Sequence, residues 1–157
     1  MLTRSELPRN PVALTIADGD ARHTVTAERL RGNRIRIACT CHAPEGWCRH
    51  RLDLLCLRYD AVLERDDEAE FGFEDIVMGT ALADLADEVD VALQDYGKAA
   101  RAMETKPAGL DSGALRTLAE RAADLSEAAT HLDGALTRFR KKLAEGQGPQ
   151  PLSSKPG

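Results

Sequence analysis

The spacing of apolar positions changes along the chain, and each change predicts a different kind of element. In "VALTI", Val12, Leu14 and Ile16 alternate with other residues. A period of two puts one side of an extended chain on a core, so this stretch reads as a strand. "ADGD" follows as a turn with Asp18-Gly19 at its centre. Next, "HTVTAERLRGNRIRIAC" has the pattern of a β-hairpin around Gly32-Asn33, where glycine in the first central place suits a type II′ turn. A two-residue loop there sets Leu30 opposite Ile35. Ile35, Ile37 and Cys39 then share the inner face, while Arg29, Arg31, Arg34 and Arg36 share the outer one.

Further on the period lengthens. Leu52, Leu55, Cys56, Tyr59 and Leu63 fall at helical spacing, which predicts a helix from about Cys48 to Arg65 with Cys56 as a core thiol. The acidic stretch "ERDDEAEFGFED" interrupts the pattern, so residues 66–75 are expected to be a linker or hinge, with Gly72 between Phe71 and Phe73. Beyond it Met78, Leu82, Leu85, Val89, Ala92, Tyr96, Ala99 and Met103 alternate between steps of four and three. Leu115, Leu118, Ala122, Leu125, Ala129, Leu132, Leu136, Phe139 and Leu143 do the same. Each set is a heptad stripe. Pro107 and Gly109 break them apart, and Asp111 or Ser112 is placed to cap the second helix. Two long helices with a short connection must run antiparallel, so residues 76–144 are expected to form a helical hairpin. Ile76, Val77, Val91 and Leu93 fall off or beside its seam, placed to pack on a second hairpin, on the N-terminal module or on a different protein. The Gly-, Pro- and Ser-rich residues 145–157 are expected to be a disordered tail. The expected fold class is α+β: a small β-hairpin-and-helix (ββα) module within residues 1–65, then the long antiparallel hairpin.

Composition adds three constraints. Aromatics make up 4% of the 157 residues and charged residues 30%, so one large core is not expected and Leu- and Ala-rich helices are. "MLTRSELPRN" has no apolar signal region, and no run of about 18 apolar residues exists to span a membrane. A cytoplasmic location is the resulting expectation, and there thiols stay reduced. Charge is also uneven. Residues 1–58 hold ten Arg against six acids, a net of +4, and the remainder carries a net of −9. Two surfaces of opposite sign follow, with twelve acids between Asp60 and Asp90.

The chemistry concentrates in "CTCHAPEGWCRH", residues 39 to 50. Cys39 and Cys41 are two apart at a strand end, so both sulfurs point to one side. Cys48 and His50 repeat the spacing at a helix start, and Pro44 and Gly46 let the intervening loop fold back. Three sulfurs and one nitrogen make the tetrahedral shell that Zn²⁺ prefers. A disulfide or redox centre competes, but the spacing is C-x-C rather than the C-x-x-C of thioredoxin-like motifs. A catalytic zinc would keep an open position and an acid or base beside it; Glu45 is the nearby carboxylate. His42 is near enough to substitute as a ligand but is expected to face solvent, opposite to Cys41 if the strand continues, and Trp47 is placed to pack over the loop. Three thiolates around Zn²⁺ leave a charge of −1, which Arg36, Arg49 and Arg51 would offset.

The order C-x-C-x6-C-x-H, after "GNRIRIACTC" and through "WCRHRLDLL", resembles the SWIM zinc finger family over roughly residues 23–63. The resemblance implies a ββα zinc-binding fold associated with DNA binding and protein interaction. It places the ligand roles on Cys39, Cys41, Cys48 and His50, and it does not reach the helical half.

These readings lead to a zinc-stabilised, non-catalytic recognition protein. Its expected partner is a protein or a second copy, held through the helical hairpin. The alternative is DNA or RNA held by the arginine face: Arg29, Arg31, Arg34, Arg36, Arg49 and Arg51. No Ser/His/Asp grouping or carboxylate pair has the spacing of an active site, and neither a membrane nor a small-molecule substrate is expected.

Overall fold

The computed structural model describes residues 9–41 and 47–147. The fold is α+β. Strands β1 (Arg9–Asp18), β2 (Ala21–Arg29) and β3 (Ile35–Cys39) form an antiparallel sheet in the order β1-β2-β3. Four helices follow: α1 (Arg49–Leu55), α2 (Asp67–Val77), α3 (Ala81–Glu104) and α4 (Ser112–Gln147).

The first turn lies one residue later than expected. Asp18 pairs with Ala21, so Gly19 and Asp20 are the turn residues, with Gly19 at φ 57°. The second departs from expectation with more effect. Arg29 pairs with Ile35, and Val25 with Cys39. The connection is the single 3-10 turn Arg31–Asn33, closed by Leu30 N–H donating to the Arg34 carbonyl at 2.8 Å, with Gly32 at φ 72°. Three loop residues instead of two shift the register by one, and one residue of shift moves a side chain to the other face. Arg29 therefore points inward beside Ile35 and is 2% exposed.

Helix α1 is much shorter than the 48–65 pattern suggests. It ends at Leu55, and Leu57 turns the chain at φ 56°. Residues 61–63 then lie along the free edge of β1. Ala17 N–H donates to Ala61 O at 2.9 Å, Leu63 N–H to Thr15 O at 2.8 Å, and Val62 bridges Ile16. Backbone groups on an edge strand need partners, and the returning chain supplies them.

The expected linker is mostly helix. Asp66 caps α2, its side chain accepting from Glu68 N–H, and Asp67, Glu68 and Glu70 occupy the first turn. Acids there complement the helix dipole. Phe73, Ile76 and Val77 are buried, so Ile76 and Val77 serve this chain's own core rather than a second hairpin. Gly72 marks a close approach: a Cβ there would sit 3.2 Å from Val12 Cγ2 of β1. Gly79, at φ 72°, and Thr80 then start α3, with the Thr80 hydroxyl accepting from Ala83 N–H.

Helices α3 and α4 lie side by side and antiparallel. Arg138 meets Glu88 at 3.0 Å, and Arg121 donates to Thr105 O at 2.6 Å at the other end. Asp111 is the cap, accepting from Ala114 N–H at 2.8 Å. One buried apolar cluster joins the sheet, α1, α2 and the near halves of α3 and α4 through residues such as Ile37, Leu52, Phe73, Val89 and Phe139. The outer halves are different: Leu115 is 60% exposed, and Tyr96 and Met103 are also exposed. The last turn of α4 rests on β3, where a Cβ at Gly146 would run into the Ile35 carbonyl oxygen. Of the expected tail, residues 145–147 belong to α4 and 148–157 lie outside the described residues.

Candidate metal centre

Cys39 closes β3, Cys41 follows it by two, Cys48 caps α1, and His50 lies in the first turn of α1. Their three sulfurs and one ring nitrogen all lie within 4.8 Å of one another, a grouping compatible with a metal site. Cys39 Sγ is 3.7 Å from His50 Nδ1. His42 and Glu45 lie outside the described residues, while Trp47 is half-buried against the core.

Hydrogen-bond donors reach two of the sulfurs. The Arg51 backbone N–H and its Nε both donate to Cys48 Sγ at 3.4 Å, and Cys41 N–H donates to Cys39 Sγ at 3.5 Å. Burial pushes the Cys48 thiol up, but the Arg51 bonds outweigh it and hold the thiol below its ordinary range. The Cys39 thiol is pushed up to about 12, first by burial, with the neighbouring Cys48 and Cys41 adding repulsion. Like charges held this close repel one another, and a cation shared among them would relieve that repulsion. The fourth cysteine is separate. Cys56 is half-buried at the C-terminal cap of α1, and burial followed by Asp87 and Asp90 pushes its thiol up to about 12.

Two residues that sequence spacing did not single out complete the cluster. His50 Nε2 lies 3.2 Å from Asp18 Oδ2, at the β1–β2 turn. The His23 ring sits against His50 with centroids 4.7 Å apart. The observed register explains His23. Thr40 N–H donates to Thr24 O, so continuing the ladder sets His23 across from Cys41.

Two of the six arginines of the expected face are turned inward. Arg29 is internal, donating to Ile76 O and Met78 O. Arg51 is buried against Cys48. Arg36 pairs with Glu28 at 3.2 Å, and Arg49 with Asp53 at 2.9 Å. All four of Arg31, Arg34, Arg36 and Arg49 remain exposed, Arg31 and Arg34 at the β2–β3 turn. Part of the acidic stretch answers the chain's own arginines: Asp90 holds Arg58, and Glu70 holds Arg65 at 2.7 Å. No helix among the described residues is long and apolar enough to cross a membrane. The chain matches no protein-family model, no curated protein and no solved structure.

Proposed function

We propose that the chain is a zinc-binding, non-catalytic recognition protein. In this reading Cys39, Cys41, Cys48 and His50 hold Zn²⁺ as a SWIM-like structural site, and the antiparallel α3–α4 hairpin carries a protein partner. The donor set supports zinc. A tetrahedral ion bonded at about 2.3 Å to sulfur and about 2.0 Å to nitrogen spaces its donors roughly 3.5–3.8 Å apart. The 3.7 Å between Cys39 Sγ and His50 Nδ1 fits that spacing. Four protein donors leave no open position for a substrate, so the metal acts as a clasp.

The observation that carries the recognition role is the outer half of α3–α4. Its heptad stripe continues past the core, yet Leu115 and Met103 stay exposed, and Leu110 at the connection is 90% exposed. Apolar residues repeated at seam spacing suit the face of another helix pair, and a second copy of this chain supplies one.

Sedimentation velocity on the zinc-loaded chain tests this reading, beside a Leu115→Glu/Met103→Glu variant. The expected result is a concentration-dependent dimer that the variant abolishes while its circular dichroism stays unchanged. A monomer at every concentration, with the variant indistinguishable, overturns self-association. Retention on DNA or RNA that weakens steeply with salt would instead support the nucleic-acid reading, through Arg31 and Arg34.

A further inference from the structure

The two nitrogens of His50 face different neighbours. Nδ1 looks into the cysteine cluster, 3.7 Å from Cys39 Sγ, and Nε2 looks out, 3.2 Å from Asp18 Oδ2. A neutral imidazole has one N–H and one lone pair, and the group that accepts the N–H decides which nitrogen keeps the lone pair. A carboxylate accepts only. We infer that Asp18 is a positioning residue of the metal centre, which holds His50 with Nε2–H outward and Nδ1 free to bind the ion. The inference rests on the zinc reading above and adds a residue from outside the 23–63 motif.

Two further observations support it. His50 has a side-chain exposure of 13% against 62% for Asp18, so the ring is enclosed and the carboxylate reaches it from the solvent side. The His23 ring lies against the His50 ring at an interplanar angle of 33°, which limits its rotation. His23 Nε2 is itself 3.9 Å from the same Asp18 oxygen, so Asp18 draws both rings toward one point. A carboxylate behind a metal-bound histidine fixes the ring and raises its basicity, and its loss typically costs ten- to a hundredfold in metal affinity.

Asp18, His23 and His50 also bring three donor atoms within 4.8 Å. A second ion there would need both nitrogens of His50 stripped of hydrogen, which the hydrogen bond to Asp18 avoids. The two assignments differ in stoichiometry.

The test measures zinc affinity of the full chain by competition with a chromophoric chelator, together with long-range ¹H–¹⁵N spectra of the histidine rings. Wild type is expected to bind one Zn²⁺ with His50 protonated at Nε2 and metal-bound at Nδ1. Asp18→Ala is expected to weaken zinc about ten- to a hundredfold. Asp18→Asn, which keeps an accepting oxygen, should retain the tautomer and recover part of the affinity. Asp20→Asn, in the same turn, should match wild type. Equal affinity in Asp18→Ala and wild type, metal bound through Nε2, or two ions per chain each overturn the inference and leave the zinc reading standing. A wild-type chain that binds no zinc overturns both.

Discussion

Replacing Arg29 tests the inward placement of a residue that the alternating pattern assigns to the outer face. Its guanidinium donates from Nε to Ile76 O at 3.0 Å, and from Nη2 to Ile76 O at 2.8 Å and Met78 O at 2.9 Å. These carbonyls belong to the last turn of α2 and the residue just after it, where the helix supplies no donors of its own. Hydrogen bonds from a charged donor contribute about 1.5–3 kcal/mol each, and orphaning a buried acceptor costs about 1–3 kcal/mol. Two orphaned carbonyls and a lost buried stem put Arg29→Ala at about 3–5 kcal/mol, a large share of the roughly 5–15 kcal/mol that holds a domain together. At about 2–4 °C per kcal/mol for a chain of this size, Tm should fall by about 10 °C. Urea unfolding of the metal-loaded protein is the assay, with the slope checked for constancy so that the midpoint reports stability. Arg29→Met keeps most of the stem, so it should recover the packing part and not the hydrogen bonds. Arg31→Ala, in the exposed turn, should stay within about 0.5 kcal/mol of wild type. If Arg29→Ala and Arg31→Ala unfold at the same urea concentration, Arg29 is a surface residue and the register described above is wrong.

Cys48→Ser should release the metal and loosen β3 and α1 while most helical circular dichroism persists; unchanged metal content and melting would refute the ligand assignment. Gly146→Ala should destabilise by about 1–3 kcal/mol because the new methyl meets the Ile35 carbonyl. By contrast Gly134→Ala, whose Cβ would find only Arg138 Nη1 at 3.5 Å, should gain up to about 1 kcal/mol from helix propensity; equal melting shifts of the two would show that α4 does not dock on β3. The hydrogen bond from Arg58 holds the Asp90 carboxyl below its ordinary value. Its stabilising contribution is therefore complete above the unfolded pKa of about 3.9 and is lost as pH falls through the lower folded value. Urea midpoints of Asp90→Asn should accordingly lose their gap from wild type in strong acid, and a gap independent of pH would remove the Arg58 pair as its cause.

What the sequence made legible depended on how local each signal was. The Cys39, Cys41, Cys48 and His50 grouping needs only two i, i+2 spacings and a loop, and the structure brings those four together. Asp18 and His23 reach the same place through strand pairing, so they could be found only with the correct register. A single extra loop residue at Arg31–Asn33 hid His23 and also displaced Arg29, while Asp18 depends on the β1–β2 turn. Helix α2 was obscured by its own acids. A cap at Asp66 and three acids in the first turn are start signals, but their density resembled a solvated linker. The stop at Leu57 has no local marker, because the requirement comes from the edge of β1, which needs residues 61–63 beside it. The heptad stripes placed α3 and α4 but did not show where burial ends along them, which depends on how far the sheet and shorter helices extend.

Helix α4 has 36 residues, which at 1.5 Å per residue is a rod about 54 Å long. One end carries Leu115, and the other rests on Ile35 in the strand that ends at Cys39. The helix therefore joins the proposed partner surface directly to the strand that carries the first sulfur. Under the proposed function, whatever free energy a partner at the tip adds to or removes from metal binding, the metal must return in equal measure to the partner. Zinc titrations with and without the tip occupied would measure one coupling from both directions.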